Sequence, residues 1–396
     1  MQYFNYLSEE MREKTFYNFP GSFNKKTERE ILAHAVGALL YMPATRLHIA
    51  EEIVSGKHSG MVSMVLCLED AIGDHQVEAA EKHLVDQIQR LAQRINEGML
   101  EPEMLPLIFI RVRDSEQMVR LLEQFQDQAD LLTGFVFPKF SLENGASYLE
   151  RLRRFNAEKG LRLYAMPILE TPGIIYPESR INHLLEMRHL LDIYQDLILN
   201  VRIGATDFSG LFGIRRGPDV TAYDIAVIRD CIGDIINIFR RQNSPYVVSG
   251  PVWEYFASAE RILKPQLRIS PFQEENKVSG KKNREKLLNK YIDGLIREVI
   301  LDKENGLMGK TVIHPSHIIP VQALYVVNHE EYTDACTILD NNDGQKGVVQ
   351  SQYVNKMNEI KPHSYWAKRI IIRAKIYGVF HGHHNFTCLL PTESYL

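Results

Sequence analysis

The chain has 396 residues, of which 46 are Lys or Arg and 50 are Asp or Glu, for a net charge of −4; 45% are hydrophobic and 24% charged, an ordinary globular composition. That balance offers no global attraction to nucleic acid or anionic lipid, no apolar run reaches the length of a membrane span, and the opening MQYFNYLSEEMREK lacks the basic-then-apolar order of a signal peptide. The cysteines (Cys67, Cys231, Cys336, Cys388) are scattered without CxxC or disulfide-framework spacing, so the expectation is a cytoplasmic protein with reduced thiols and no nucleic-acid or membrane partner.

In chain order, residues 1–30 form a polar arm rich in aromatic residues. Short β-branched or apolar runs then recur at 38–44, 61–70, 107–113, 134–140, 162–171, 197–207, 246–256 and 310–315. Several are almost continuously apolar, as strands covered on both faces are. Between them lie stretches such as AAEKHLVDQIQRLAQRI and SEQMVRLLEQFQDQADLL, apolar at every third or fourth position and therefore helical. Eight strands alternating with helices predict an α/β fold, a (β/α)8 TIM barrel over residues 31–315. The alternative, a doubly wound open sheet, has no GxGxxG in its first βα unit. Residues 270–309 read as an insertion before the eighth strand, a mobile loop (SPFQEENKVSGKKN) leading into an amphipathic helix around REKLLNKYIDGLIREVIL. Residues 316–396 read as a helical C-terminal extension with a turn at NNDGQKG.

In such a barrel the C-terminal strand ends surround one mouth, where active sites sit. Glu69 and Asp70 follow the second strand, Arg111 and Arg113 lie on the third, and Lys139 on the fourth. Glu170 ends the fifth, Asp207 the sixth and His314 the eighth. Carboxylates from adjacent strands, Glu170 and Asp207, can hold a hard divalent cation, which is a Lewis acid toward a carbonyl or enolate oxygen. A guanidinium such as Arg111 grips a carboxylate by its fork. The bland readings stand beside these: a structural salt bridge for Glu170 and Asp207, a helix cap for Glu69 or Asp70, and ion pairs or solvated loop charges for Lys139, Arg46, Arg113, Arg215 and Arg216. A Schiff-base role for Lys139 is redundant beside a metal. The His381, His383, His384 and Cys388 cluster matches no regular zinc spacing and reads as a solvated tail.

Seven segments together, YMPATR (41–46), LCLEDAIGD (66–74), IRVRD (110–114), FPKF (137–140), ILETPGII (168–175), RIGATDFSGLFG (202–213) and GKTVIHPSHI (309–318), resemble the citrate lyase β-subunit-like (HpcH/HpaI aldolase) superfamily of TIM-barrel C–C bond lyases. The extra length and divergent tail resemble the branch found beside tellurium-resistance-type stress operons. The resemblance implies Mg²⁺, with Mn²⁺ as a substitute, on Glu170 and Asp207. It implies Arg111 on the substrate's carboxylate and enolate oxygens, and Glu69 and Asp70 ordering the metal's waters and that arginine. It further implies Arg46 near the phosphate or pantetheine end of an acyl-CoA, His314 in the family's HP motif, and a homo-oligomer of trimeric or larger size. Pro43-Ala44-Thr45-Arg46 departs from a PG-x-R-like loop by losing the glycine that lets backbone approach a phosphate. Arg113 replaces the usual asparagine, and Met357-Asn358-Glu359 stands where a catalytic M-x-D would be, making Glu359 the candidate acid or base, with reach toward a neighbouring subunit. Arg215 and Arg216, in the loop after the sixth strand, become candidates for binding a phosphate or a second carboxylate, and Arg113 and Lys139 candidate substrate contacts. The function expected is C–C bond cleavage or formation through the enolate of a 2-oxo or hydroxy acid or an acyl-CoA. The alternatives are thioester hydrolysis or phosphoenolpyruvate chemistry on the same scaffold, or an idle barrel that only binds a metabolite.

Overall fold

The computed structural model describes residues 1–256 and 290–390. Eight parallel strands carry the fold: β1 (Ala38–Pro43), β2 (Ser63–Cys67), β3 (Leu107–Arg111), β4 (Gly134–Phe137), β5 (Tyr164–Leu169), β6 (Val201–Ile203), β7 (Val248–Ser249) and β8 (Lys310–Val312). They pair in the order β7–β6–β5–β4–β3–β2–β1–β8, and a parallel bridge between Gly250 and Lys310 closes the ring. All eight fall inside the runs expected from sequence, and the fold is the expected α/β barrel. β2 and β5 are buried at every position, which is why they read as unbroken apolar segments.

Closure depends on two glycines at the strand starts. Gly37 (φ +59°) and Gly309 (φ +76°) both occupy left-handed backbone, and a Cβ on Gly309 would stand 2.5 Å from the Gly37 carbonyl oxygen. Without side chains there, Lys310 N–H donates to Gly37 O over 2.9 Å and β8 docks on β1.

Helices alternate with the strands: α1 (Ile49–Val54), α2 (Val77–Asn96), α3 (Ser115–Phe125), α4 (Leu142–Lys159), α5 (Pro177–Ile193), α6 (Ala226–Phe239), α7 (Lys290–Glu304) and α8 (Ile318–Tyr325). Their starts are written locally. The Asp114 carboxylate accepts from Gln117 N–H at 2.6 Å to open α3, and Pro177 stands at the first turn of α5. The stretch expected as an insertion contributes α7, the helix that the repeat requires between β7 and β8; residues 270–283 of the expected mobile loop lie outside the described residues.

Additions cover the end of the barrel where the strands begin. After α8 come α9 (His329–Asp340), a hairpin of Val348–Gln350 with Met357–Glu359, and α10 (Ile360–Tyr377). The aromatic arm is packed in part: Tyr3, Phe4, Phe16 and Phe23 are core residues, whereas Tyr17 and Phe19 stay exposed. Phe16–Asn18 pairs with Val379–Phe380, and Tyr3 stacks on Tyr377 with centroids 4.4 Å apart. Tyr377 Oη donates to His34 O just before β1, and Arg369 to Gly306 O just before β8. His381 also belongs to this packing, its Nε2 lying 3.1 Å from Glu13 O, and among the described residues no group of three or more His, Cys, Asp or Glu side chains is arranged to hold a metal ion.

Candidate active site

Register decides which residues face the lumen. Directly paired residues of parallel strands point the same way, and alternate residues share a face. Pro43, Cys67, Arg111, Val136 and Met166 are paired in succession around the ring. Tyr41, Glu69, Ile168 and Glu170 therefore belong to the same inward set. Past the last paired residues the strands open into loops, and polar side chains gather. Arg113 and Lys139, expected on strands, lie two residues beyond β3 and β4; Asp207 lies in the short helix Ala205–Leu211, and His314 two residues beyond β8. The backbone stops pairing there because the strands diverge at the mouth.

Glu170 is 5% exposed and Asp207 half-buried. Glu170 Oε1 accepts the Lys139 amide N–H at 2.7 Å. Among the described residues neither carboxylate forms an ion pair. Burial first, and the neighbouring Asp207 charge second, push the Glu170 carboxyl up to about 8. Gly204 makes room for it: a Cβ there would stand 2.1 Å from Glu170 Oε2. Lys139, whose amide holds Glu170, sits at φ 47°, a strained conformation for a residue with a side chain.

Facing this pair is a compensated cluster. Arg111 Nη2 lies 3.1 Å from Glu69 Oε2 and Nη1 3.4 Å from Asp70 Oδ2, while its Nε donates to Cys67 Sγ at 3.1 Å. Of the five guanidinium N–H groups, two are left over for a substrate oxygen. Lys139 Nζ meets Glu69 Oε1 and lies 3.6 Å from Asp70 Oδ1. Burial pulls the Lys139 ammonium down, but Glu69 and Asp70 outweigh it and the net shift is upward. A protonated amine is no nucleophile, which argues against a Schiff base. Glu69 is lowered despite its burial, chiefly by Arg111, and its partner Asp70 is raised by burial and by Glu69.

The remaining candidates divide. His314 lies at the mouth, stacked on Phe256 at 4.5 Å, with Nδ1 2.8 Å from Ser316 Oγ. Arg46 follows β1, but its Nε is held by Glu52 at 2.6 Å, a carboxylate shared with Lys57 and His58. Arg113 is turned sideways, donating to Leu68 O at 2.8 Å and Asp74 Oδ1 at 2.7 Å, and so ties two loops together. Arg215 is exposed. Arg216 is buried against Glu298 and Glu254 and is therefore unavailable to a ligand. Glu359 is exposed on the C-terminal hairpin, whose neighbours are α9 and α10; among the described residues no hydrogen bond or ion pair joins it to the mouth of its own barrel. Its distance follows from α10 being anchored where the strands begin, at the opposite end.

Tyr41, Cys67, Arg202 and Thr311 escaped the sequence reading, although they also line the lumen. Strand parity was the signal for them: each falls on the inward position of its strand.

The sequence profile of the C–C bond lyases of the TIM-barrel fold matches residues 30–379. No curated protein matches the chain. Among solved structures, a citrate lyase from Burkholderia xenovorans LB400 is 14% identical with a TM-score of 0.56, covering 86% of this chain and 92% of that one. Protein CitE from Mycobacterium tuberculosis, in complex with magnesium, acetoacetate and coenzyme A, is 18% identical with a TM-score of 0.51, covering 86% of this chain and 99% of that one. At such identities the likeness extends to the fold. Among the described residues no helix is long and apolar enough to cross a membrane. With the profile spanning the whole barrel and most of the C-terminal extension, the chain belongs to the family of C–C bond lyases of the TIM-barrel fold.

Proposed function

We propose that this lyase breaks or forms a C–C bond beside the carbonyl of a 2-oxo acid or acyl-CoA, with a divalent cation, Mg²⁺, held by Glu170 and Asp207. One observation carries the proposal. Among the described residues the neighbouring Glu170 and Asp207 form no ion pair, while Glu69 and Asp70 are compensated by Arg111 and Lys139. A carboxyl pushed up to about 8 by burial and a like charge is the arrangement that a cation relieves, because positive charge restores the ionised form. Oxygen donors suit Mg²⁺, which keeps several waters and needs few protein ligands. When bound there it would supply Lewis-acid polarisation of the substrate carbonyl.

The chain's own residues do the rest. Arg111, held by Cys67, Glu69 and Asp70, presents its remaining donors to the oxygen on which enolate charge develops, and costs no reorganisation as the bond breaks. Lys139 keeps the acidic pair Glu69 and Asp70 neutralised, so that they orient Arg111 without repelling an anionic substrate. His314 and Phe256 form one wall of the mouth. The engagement of Arg46 by Glu52 favours a free oxo acid over a CoA thioester.

The test is direct. Mn²⁺ binding, read by electron paramagnetic resonance, is expected for the wild type and is lost by at least tenfold in Glu170→Gln and Asp207→Asn. Mg²⁺-dependent turnover of oxaloacetate or another oxo acid falls with it. A wild-type protein that binds neither ion nor oxo acid overturns the proposal in favour of an idle barrel.

A further inference from the structure

The end of the barrel opposite the mouth gathers positive charge in the seam beneath α10. Arg240 follows α6, and Arg369 and Arg373 lie one turn apart on α10. Arg240 Nε donates to Gly306 O at 3.1 Å, and Arg369 Nη2 donates to the same oxygen at 2.8 Å. The two guanidinium nitrogens on this carbonyl are within about 6 Å of each other, and their charges repel. Lys303 joins them from the last turn of α7. Burial first, and the Arg373 charge second, pull its ammonium down.

Carboxylates do not match this charge. Among the described residues neither Arg240 nor Arg369 forms an ion pair. Glu331 is taken by Arg373 at 2.7 Å, and Glu304 lies 3.8 Å from Lys303. Burial pulls the Arg240 guanidinium down to about 10. Its neighbour His34 is pulled down to about 4, chiefly by burial, and so brings no charge of either sign at neutral pH. Elsewhere the chain compensates such groups: buried Lys310 meets Glu298 and Asp302, and buried Arg216 meets Glu298 and Glu254.

Capping is the ordinary use of an arginine beside the C-terminal end of a helix. It accounts for one N–H from each guanidinium at Gly306, just past α7, and a single arginine suffices for it. It leaves Arg240 Nη2 buried without a partner, and Arg373 Nε likewise. A buried charged donor with no acceptor is costly. Two guanidinium groups with spare donors are complementary to a tetrahedral oxyanion, whose several oxygens can bridge both.

We infer that Arg240 and Arg369 form a phosphate-binding site at the base of the barrel, between the barrel and its C-terminal extension. The ligand class is a small dianionic oxyanion, either inorganic phosphate or the phosphate group of a monoester. One guanidinium comes from the barrel and one from α10, so the bound anion ties the extension to the barrel. The site lies at the other end from Glu170 and Asp207 and stands independently of the function proposed above.

A ³¹P NMR titration of the full chain with inorganic phosphate and with glycerol 3-phosphate, in EDTA at constant ionic strength, tests it. A single phosphate group per chain is expected to bind, and the tighter of the two ligands identifies its source. Arg369→Gln and Arg240→Gln, which keep a donor for Gly306 O, are each expected to weaken it at least tenfold. Arg111→Gln at the mouth and Arg241→Gln on the nearby surface are expected to bind as wild type does. A wild type that binds neither ligand overturns the inference, as does loss in Arg111→Gln with retention in Arg369→Gln. A purely capping role also overturns it, and is read as lower melting temperatures in both variants with phosphate binding unchanged. Where the variants fail to fold, amide hydrogen exchange of the wild type decides. Protection of residues 303–306 and 365–373 by added phosphate supports the site, and its absence overturns it.

Discussion

Gly204→Ala is a small change with a large consequence. The Gly204 backbone (φ −96°) suits any residue, so the substitution acts by contact alone. The new methyl would stand 2.1 Å from Glu170 Oε2 and 2.5 Å from Glu170 Cβ. Ordinary contacts lie near 3.5 Å, so roughly 1 Å of retreat is required, and the close Cβ prevents a simple rotation of the carboxylate from supplying it. A displacement of about 1 Å at a reacting constellation costs on the order of 100-fold, and the strain itself about 1–3 kcal/mol of stability. Mn²⁺ affinity and oxo-acid turnover measured together read the first, urea unfolding the second. Gly210→Ala, in the same short helix with nothing within 4 Å of its Cβ, is the control. A folded Gly204→Ala protein that keeps Mn²⁺ affinity and turnover within threefold of wild type would refute the assignment of Glu170 to the metal.

Other outcomes follow from the same geometry. Glu170, held at about 8 against an ordinary 4.5, contributes stability fully below its unfolded value and loses it as pH rises through 8. The metal-free protein should therefore melt lower at pH 8.5 than at pH 6, by up to roughly 5 °C; Glu170→Gln should flatten that window and Mg²⁺ should oppose the loss. Asp302, raised to about 6 mainly by burial, acts at lower pH and leaves the window readable. Glu298→Ala, which leaves the fully buried Lys310 with Asp302 alone and Arg216 with Glu254 alone, should cost about 3–5 kcal/mol in urea unfolding. Asp114→Ala, which removes the cap of α3, should cost about 1 kcal/mol in the same assay.

The barrel was legible because its strands are short, doubly covered and therefore apolar without interruption, as in SMVLC of β2 and YAMPIL of β5. Glu69, Glu170 and Arg111 were legible because a polar group closing such a run is costly unless used or paired. Less legible was what each loop charge would meet. Arg113 and Arg46 look alike in sequence, yet one is tied to Asp74 and the other to Glu52, partners chosen by how loops pack. Glu359 was a candidate through the resemblance of Met357-Asn358-Glu359 to the family's M-x-D segment; the docking of α10 near the strand starts decides where it lies.

The sequence by itself determined the alternation of strand and helix, the single barrel rather than the several domains its length allows, and the inventory of charges at the mouth. Those follow from local periodicity and from the energetic cost of burying polar groups. Tertiary structure alone decided which charges are compensated. Among the described residues it left Glu170 and Asp207 without an ion pair and set the buried Arg202 against the Thr311 hydroxyl of β8. A net charge of −4 records only a sum, whereas electrostatic energy depends on separation and burial, and closing the barrel fixed both.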